Sequence, residues 1–276
     1  MSPSVTIIIV NYNYAMFLAE AIESALAQDY VATEVALIDD GSTDSSLEVA
    51  ARYPITIMTK LNGGLCRARN SAVLNVESDY VVFLDADDRL APNAVSLLMA
   101  ALISAPVDTA YAYGQMRYFG LRNDLFLSHD FDPKRLAKSN YICATTLIRR
   151  EALLQVGAYD NCFRSLREDW ELYVRFWHNG YRGVFVPEII LECRKHKPHL
   201  RRALSVKALS MAKLIWLYPS LFWRQWLKHP LRDSYYMLAG RVWANVGEHV
   251  SRAHDAVSVT RPVSELPVAL IDNESH

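Results

Sequence analysis

The sequence predicts an α/β protein: a mostly parallel, doubly wound sheet flanked by helices, with a C-terminal helical extension. Three observations lead there. Short β-branched runs alternate with segments whose apolar residues recur at helical spacing, and the connections between them are short. Hydrophobic residues make up 51% of the 276 and charged residues 21%, a balance that supports a sizeable core and excludes a disordered, collagenous or coiled-coil chain. Each early strand-like run ends in polar or glycine-rich residues, where a parallel sheet binds its ligands.

Taken in order, Val5-Thr6-Ile7-Ile8-Ile9-Val10 is a continuous apolar run, as expected of a strand buried on both faces, and Asn11-Tyr12-Asn13-Tyr14 follows it. From Ala15 to Gln28 the residues Phe17, Leu18, Ala21, Ile22, Ala25 and Leu26 mark a helix. Glu34 to Ile38 is a second strand, ending at Asp39-Asp40-Gly41-Ser42, with Ser42 or Thr43 expected to cap a helix that runs to about Arg52. Ile55 to Thr59 is a third strand followed by Asn62-Gly63-Gly64, Leu65 to Asn75 a third helix, and Tyr80 to Leu84 a fourth strand running into Asp85-Ala86-Asp87-Asp88. Later, Leu147-Ile148-Arg149 reads as a short strand passing into a helix that stops at Gly157. Leu166 to Asn179 reads as an amphipathic helix ended by Gly180, with Leu166, Trp170, Tyr173, Val174 and Trp177 near one face. The stretch from about Tyr111 to Arg164 gives only loop and short strand. The chain thus divides into an α/β domain over 1–200, a helical extension over 201–250 rich in Trp, Leu, Lys and Arg, and a flexible tail over 251–276.

Several function classes drop out. A net charge of -1 provides no basic field for nucleic acid. Cys66, Cys143, Cys162 and Cys193 are scattered, without a C-x-x-C pair, which argues against a disulfide framework or structural zinc and for a reducing cytosol. The first residues lack the basic region and cleavage site of a signal peptide. Apolar runs in 201–250 fall short of the roughly twenty residues that span a bilayer. That region is expected either to pack on the domain or to lie at a membrane surface near a lipid-linked acceptor. No P-loop, dinucleotide fingerprint or G-x-S-x-G occurs.

Asp85-Ala86-Asp87 with Asp88 is the sharpest local feature. Like charges crowded at the end of a buried strand call for a cation, and a hard Mg2+ or Mn2+ completed by phosphate oxygens suits them. Asp39-Asp40-Gly41-Ser42 is either a helix-capping turn or a carboxylate placed for an imide N–H or ribose hydroxyls. Asn62-Gly63-Gly64 leads into a helix bearing Arg67 and Arg69, where backbone N–H groups and guanidinium forks suit phosphate. Glu168-Asp169 opens a helix either as dipole complement or with a general base for a hydroxyl. The basic run from Arg194 to Arg202, with His196, is either a solvated face or a supplier of cations and an imidazole to a pyrophosphate or metal.

In order along the first two hundred residues, these motifs resemble family 2 glycosyltransferases of the GT-A fold. Those carrying the resemblance are Val5 to Asn13, Ile38 to Asp44, Asn62 through Asn70, Phe83 to Asp88, Leu147 to Leu153, Val156-Gly157 and Glu168 to Leu172, and it ends near Arg194-Lys195-His196. The resemblance implies that Asp40 contacts the nucleobase with Asn11 and Tyr12 lining the same pocket. It implies that Asp85 holds ribose or sugar, that Asp87 binds the divalent metal with His196 and Arg194 approaching it, and that Asp169 is the catalytic base. Asn62, Gly63, Arg69, Asp88 and Glu168 count with the nucleotide-sugar site. The sequence departs from the family at Cys66 and Arg67, where small residues are common, and at Cys193, where an aromatic often stands.

The expected activity is inverting, metal-dependent transfer from a nucleotide diphosphate sugar, a UDP-sugar foremost, to a hydroxyl of a glycan or lipid-linked acceptor. The expected location is the cytoplasm, with peripheral contact at the inner membrane face as one option. Two rival readings are a non-catalytic nucleotide-sugar-binding relative and a sugar nucleotidyltransferase. The first would lack Asp87 or Asp169, and the second wants a glycine-rich basic loop where Asn11-Tyr12-Asn13-Tyr14 stands.

Overall fold

We describe the fold from a computed structural model, which covers residues 2–161, 163, 167–196, 212–219, 221 and 257–260. In chain order its elements are β1 (Val5–Asn11), α1 (Ala15–Leu26), β2 (Thr33–Asp39), α2 (Ser46–Ala50), β3 (Thr56–Thr59), α3 (Leu65–Leu74), β4 (Tyr80–Asp85), β5 (Arg89–Leu90) and α4 (Ala94–Ser104). There follow β6 (Thr109–Gly120), β7 (Leu125–Phe126), α5 (Pro133–Leu136), β8 (Leu147–Arg149), α6 (Arg150–Gln155), α7 (Glu168–His178), β9 (Arg182–Lys195) and β10 (Ser258–Thr260).

Strand β1 lies between β2 and β4, parallel to both and buried along its length. It has no polar face because helices cover the sheet on both sides. Ile8 and Val10 join a core with α3, α6 and α7, whereas Ile7 and Ile9 join one with α1 and α4. The sheet runs β10-β3-β2-β1-β4-β8-β6-β9-β5, with β7 paired to β6. Strand β8 is antiparallel to both β4 and β6, so the sheet is mixed but mostly parallel. This is the α/β arrangement of a mostly parallel sheet between helices that the sequence predicts.

Three elements in the second half are poorly marked in the sequence. Helix α4 exposes Ala100 and Ile103 instead of charge, so it lacks an amphipathic signature. Strand β6 buries Ala110, Tyr111, Ala112 and Tyr113 together, so it shows no alternation. Strand β9 contains Pro187, ordinarily excluded from an internal strand. Its ladder to β6 shifts register there, from Tyr113 opposite Phe185 to Gln115 opposite Ile189. That irregularity removes the need for an N–H at Pro187. The stretch expected to be loop and short strand therefore includes the long strand β6.

Of the extension, residues 212–217 are helical, and Ala212, Leu214, Ile215 and Tyr218 are buried. Leu214, Ile215 and Tyr218 join the core containing Trp170 and Phe176 of α7, so this part packs on the domain. Residues 201–211, 220 and 222–250 lie outside the described residues, as do Leu166 and the basic run beyond His196. Among the described residues no helix is long and apolar enough to cross a membrane. Within the stretch expected as a tail, Ser258–Thr260 pairs antiparallel with β3 at the sheet edge, and the rest of 251–276 apart from 257 lies outside the described residues.

Candidate active site

Parallel register brings the strand tips together. Asn11 lies beside Asp39, and Val10 beside Asp85. Buried Asn11 donates through Nδ2 to Asp39 Oδ1 at 2.7 Å and Ser42 Oγ at 3.1 Å. Asp39 also accepts the Ser42 N–H at 2.8 Å and its hydroxyl at 2.6 Å. Ser42 therefore ties two tips together and does not cap α2, which corrects that expectation. Asp44 accepts the Ser46 N–H at 3.0 Å instead. Asn13, at φ 58°, takes the Thr43 N–H on Oδ1 at 2.7 Å, and Tyr12 beside it is 46% exposed at the mouth of the tips.

Asp40 is buried and organises the next loop. It accepts from Lys60 Nζ at 2.9 Å, from Gly63 N–H at 2.9 Å and from Gly64 N–H at 2.7 Å, while Asn62 Nδ2 donates to its carbonyl at 3.0 Å. Gly41 adopts φ +77°, and a Cβ there would stand 2.8 Å from Asn62 N. Only glycine suits both the left-handed backbone and that close approach.

Arg69, fully buried on α3, joins β4 to α7. Its Nη2 donates to Asp85 Oδ1 at 3.0 Å, and Nη1 reaches Glu168 Oε1 at 3.4 Å. Its guanidinium lies 5.0 Å from the centre of the Tyr159 ring. Asn70 exchanges two 2.8 Å hydrogen bonds with the Tyr159 backbone and fixes that ring in place. Burial works against the Arg69 charge, but Tyr159, Asp85, Glu168 and Asp169 outweigh it and hold the guanidinium protonated.

The acidic tip is closed by β9. Asp88 is buried and accepts the Arg194 N–H at 2.8 Å, and Arg194 Nε donates to the Asp87 carbonyl at 3.0 Å. Arg194 also bonds Glu20 Oε2 at 2.7 Å and is sandwiched between the Phe17 and Phe119 rings at 4.6 and 4.4 Å. His196 Nε2 stands 3.0 Å from Asp87 Oδ2, its ring edge-on to Tyr14 and Phe17. Burial first, then Asp85, raises the Asp87 carboxyl, and Asp88 is driven higher by burial, Asp85 and Asp87. Among the described residues no group of three His, Cys, Asp or Glu is arranged to hold a metal ion. Asp87 and His196 nonetheless present a carboxylate oxygen and an imidazole nitrogen to each other within a crowded anionic field. That donor set fits a divalent cation whose remaining shell comes from a diphosphate.

Asp169 is partly buried in the first turn of α7. Burial and the adjacent Glu168 push its carboxyl up to about 6, against opposing pulls from the Trp170 N–H and Arg69. Asn140 donates to its Oδ2 at 2.8 Å. Burial pushes the Cys66 thiol to about 12, leaving no thiolate for nucleophilic work. The site also contains Lys60, Glu20 and Asn140, which no local motif marks.

A GT-A sheet with acidic, amide and glycine chemistry gathered at its strand tips defines a class of nucleotide-sugar-handling folds. Residues 6–171 match Glycosyl transferase family 2, and the chain belongs to that family of glycosyltransferases. The Bacillus subtilis (strain 168) protein EpsE, named for a glycosyltransferase, is 29% identical over 246 residues, covering 85% of this chain and 87% of its own. The chondroitin synthase of Pasteurella multocida (strain Pm70) is 41% identical over 102 residues, which are 35% of this chain and 11% of the synthase. Among solved structures, S. aureus TarS 1-349 in complex with UDP-GlcNAc superposes with a TM-score of 0.65 at 18% identity, covering 88% of this chain and 72% of that one. The mannosyltransferase PcManGT of Pyrobaculum calidifontis, in complex with GDP-Man and Mn2+, gives 0.58 at 18% identity, covering 90% and 77%.

Proposed function

We propose that this glycosyltransferase moves a sugar from a nucleotide diphosphate donor, foremost a UDP-sugar, to a hydroxyl of a glycan or lipid-linked acceptor, inverting the anomeric carbon. The observation that carries the reading is the ion chain Asp85–Arg69–Glu168, which links the acidic tip of β4 to the turn of α7 bearing Asp169. It fixes the distance between a donor end and a carboxylate of raised proton affinity. The complexes of TarS with UDP-GlcNAc and of PcManGT with GDP-Man and Mn2+ support the donor class.

In this reading Asn11, Tyr12 and the Asp40 loop with Asn62 and Gly63 receive the nucleoside, and Asp85 takes ribose or sugar hydroxyls. Arg69, Asp88, Glu168 and Arg194 hold those groups in position. Asp169 accepts the acceptor hydroxyl proton as that oxygen bonds to the anomeric carbon and the bond to the diphosphate oxygen breaks. Asp87 and His196 would hold Mn2+ or Mg2+, which when bound compensates charge on the departing diphosphate. One displacement needs one base and does not require the paired carboxylates of retaining hydrolysis. We place the enzyme in a reducing compartment, with residues 212–218 packed on the domain and contact with the inner membrane face as the alternative that flotation tests.

The test is a thermal-shift panel of UDP-GlcNAc, UDP-glucose, UDP-galactose and GDP-mannose with Mn2+, followed by NMR of the product anomer. A stabilising donor and a product of inverted configuration are expected. No stabilisation by any donor, or retained configuration, overturns the reading.

A further inference from the structure

We propose that Asn140 is a positioning residue for Asp169: its amide holds Oδ2 and so sets the orientation of the carboxylate that receives the acceptor's proton. The inference rests on the reading of Asp169 as base.

The geometry is specific. Asn140 lies between α5 and β8, outside any regular element, yet its side chain is bonded at both ends. Its Oδ1 accepts the Ile142 N–H at 3.1 Å, and its Nδ2 donates to Asp169 Oδ2 at 2.8 Å. The backbone donor at Ile142 sets which end of the amide is oxygen, so the NH2 group is obliged to face the carboxylate. An amide that flipped would lose both bonds, setting NH2 against the Ile142 N–H and oxygen against oxygen at Asp169. The segment itself is anchored nearby, where Trp170 Nε1 donates to the Leu136 carbonyl at 2.7 Å. Asn140 thus holds the base from the segment between α5 and β8, and Arg69 acts from α3.

Other groups bearing on Asp169 are the backbone N–H groups of Trp170 and of Asp169 itself, Glu168 and Arg167 at the start of α7, Arg69 from α3, Tyr159 from the segment before α7, Cys143 before β8, and Tyr173 one turn on. Beside these, Asn140 is the side-chain amide donor that a single isosteric change converts to an acceptor. A donor to a carboxylate favours its ionised form, so Asn140 trades some basicity for a fixed orientation.

Two substitutions in the full chain separate positioning from mere loop anchoring. N140D retains an acceptor for Ile142 but turns an oxygen toward Asp169, whereas N140A removes both bonds. Carboxyl 13C resonances of Asp-labelled protein are titrated. The Asp169 signal is identified by its loss in D169N, and the signal of the carboxyl that N140D introduces by its absence from N140A. The Asp169 midpoint is expected to rise by about one pH unit in N140D and by less in N140A. Turnover is followed as nucleotide release with whichever donor stabilises the enzyme in the panel above. At pH 8.5, where Asp169 is ionised in every variant, kcat of N140A is expected about tenfold below wild type with donor KM unchanged. An unmoved midpoint in N140D, or wild-type kcat for N140A at pH 8.5, overturns the proposal. Wild-type turnover by D169N would instead remove the base reading itself, and with it the role of Asn140.

Discussion

Arg69 donates to Asp85 from a fully buried position, 3.0 Å from a carboxylate that remains 41% exposed. The guanidinium is inside and its partner reaches the mouth, so the pair passes a buried charge to the ligand face. Arg69→Met leaves Glu168 buried beside Asp169 without its cation. A loss of about 3 kcal/mol in urea unfolding is expected, in the range for breaking one partner out of a buried pair. Arg69→Lys keeps the charge but cannot span Asp85 and Glu168 with one fork, so it should fall between the two.

The raised Asp169 carboxyl sets both activity and stability against pH. As the proposed base Asp169 works ionised, so kcat/KM should climb tenfold per unit below about 6 and level off above it. Asp169→Asn should cost about a thousandfold in kcat while leaving donor binding close to normal. Stability carries the opposite sign. A carboxyl with a folded-state pKa above its unfolded value binds more protons when folded, so it destabilises increasingly as pH rises from about 4 to 6. Asp169→Asn should accordingly raise Tm by roughly a few degrees at pH 7.5 and lose that advantage near pH 4. Thermal melts across that range check the sign.

Arg194 is braced on four sides, by Asp88, the Asp87 carbonyl, Glu20 and two aromatic rings. The brace holds the backbone next to His196 against the acidic tip, so we expect it to act on the metal and not on donor recognition directly. Arg194→Met should raise the Mn2+ concentration for half-maximal turnover about tenfold, by loosening Asp87 and His196 together. Glu20→Gln, which keeps a hydrogen-bond acceptor but removes the charge, should shift it less. Manganese titrations at saturating donor read both.

Much of the site is legible because it is local. The runs at Val5 and Tyr80 declare buried parallel strands, and Asn11, Asp40, Asn62-Gly63-Gly64 and Asp85 to Asp88 lie directly at strand ends, so pattern and topology alone collect them. What stays hidden depends on distant partners. Glu20 meets Arg194 across 174 residues and Asn140 meets Asp169 across 29, and neither has a neighbour that marks it. The long strands hide for another reason. Pro187 and the wholly buried Ala110 to Tyr113 break the alternation by which half-buried strands are found. Asp169 is intermediate: the sequence leaves it as dipole complement or base, and its raised proton affinity arises from burial and Glu168, which only the folded arrangement shows.

Tyr218 tests the role of the extension. Its hydroxyl donates to Glu171 Oε1 at 2.6 Å, and Glu171 is buried two residues from the base, also paired with Arg175 at 2.7 Å. Tyr218→Phe removes one donor from a buried carboxylate and should cost about 1–2 kcal/mol. Leu214→Ala, which leaves a cavity against the core shared with α7, should cost about 2–5 kcal/mol. If these residues served a membrane surface, the same changes would lower recovery with liposomes in flotation and spare the urea midpoint. Packing predicts the reverse: a shifted midpoint and equal recovery. Because Glu171 shares a helix with Asp169, the Tyr218→Phe midpoint should fall together with a modest, about twofold, loss of kcat, since a slight displacement of that turn reaches the base.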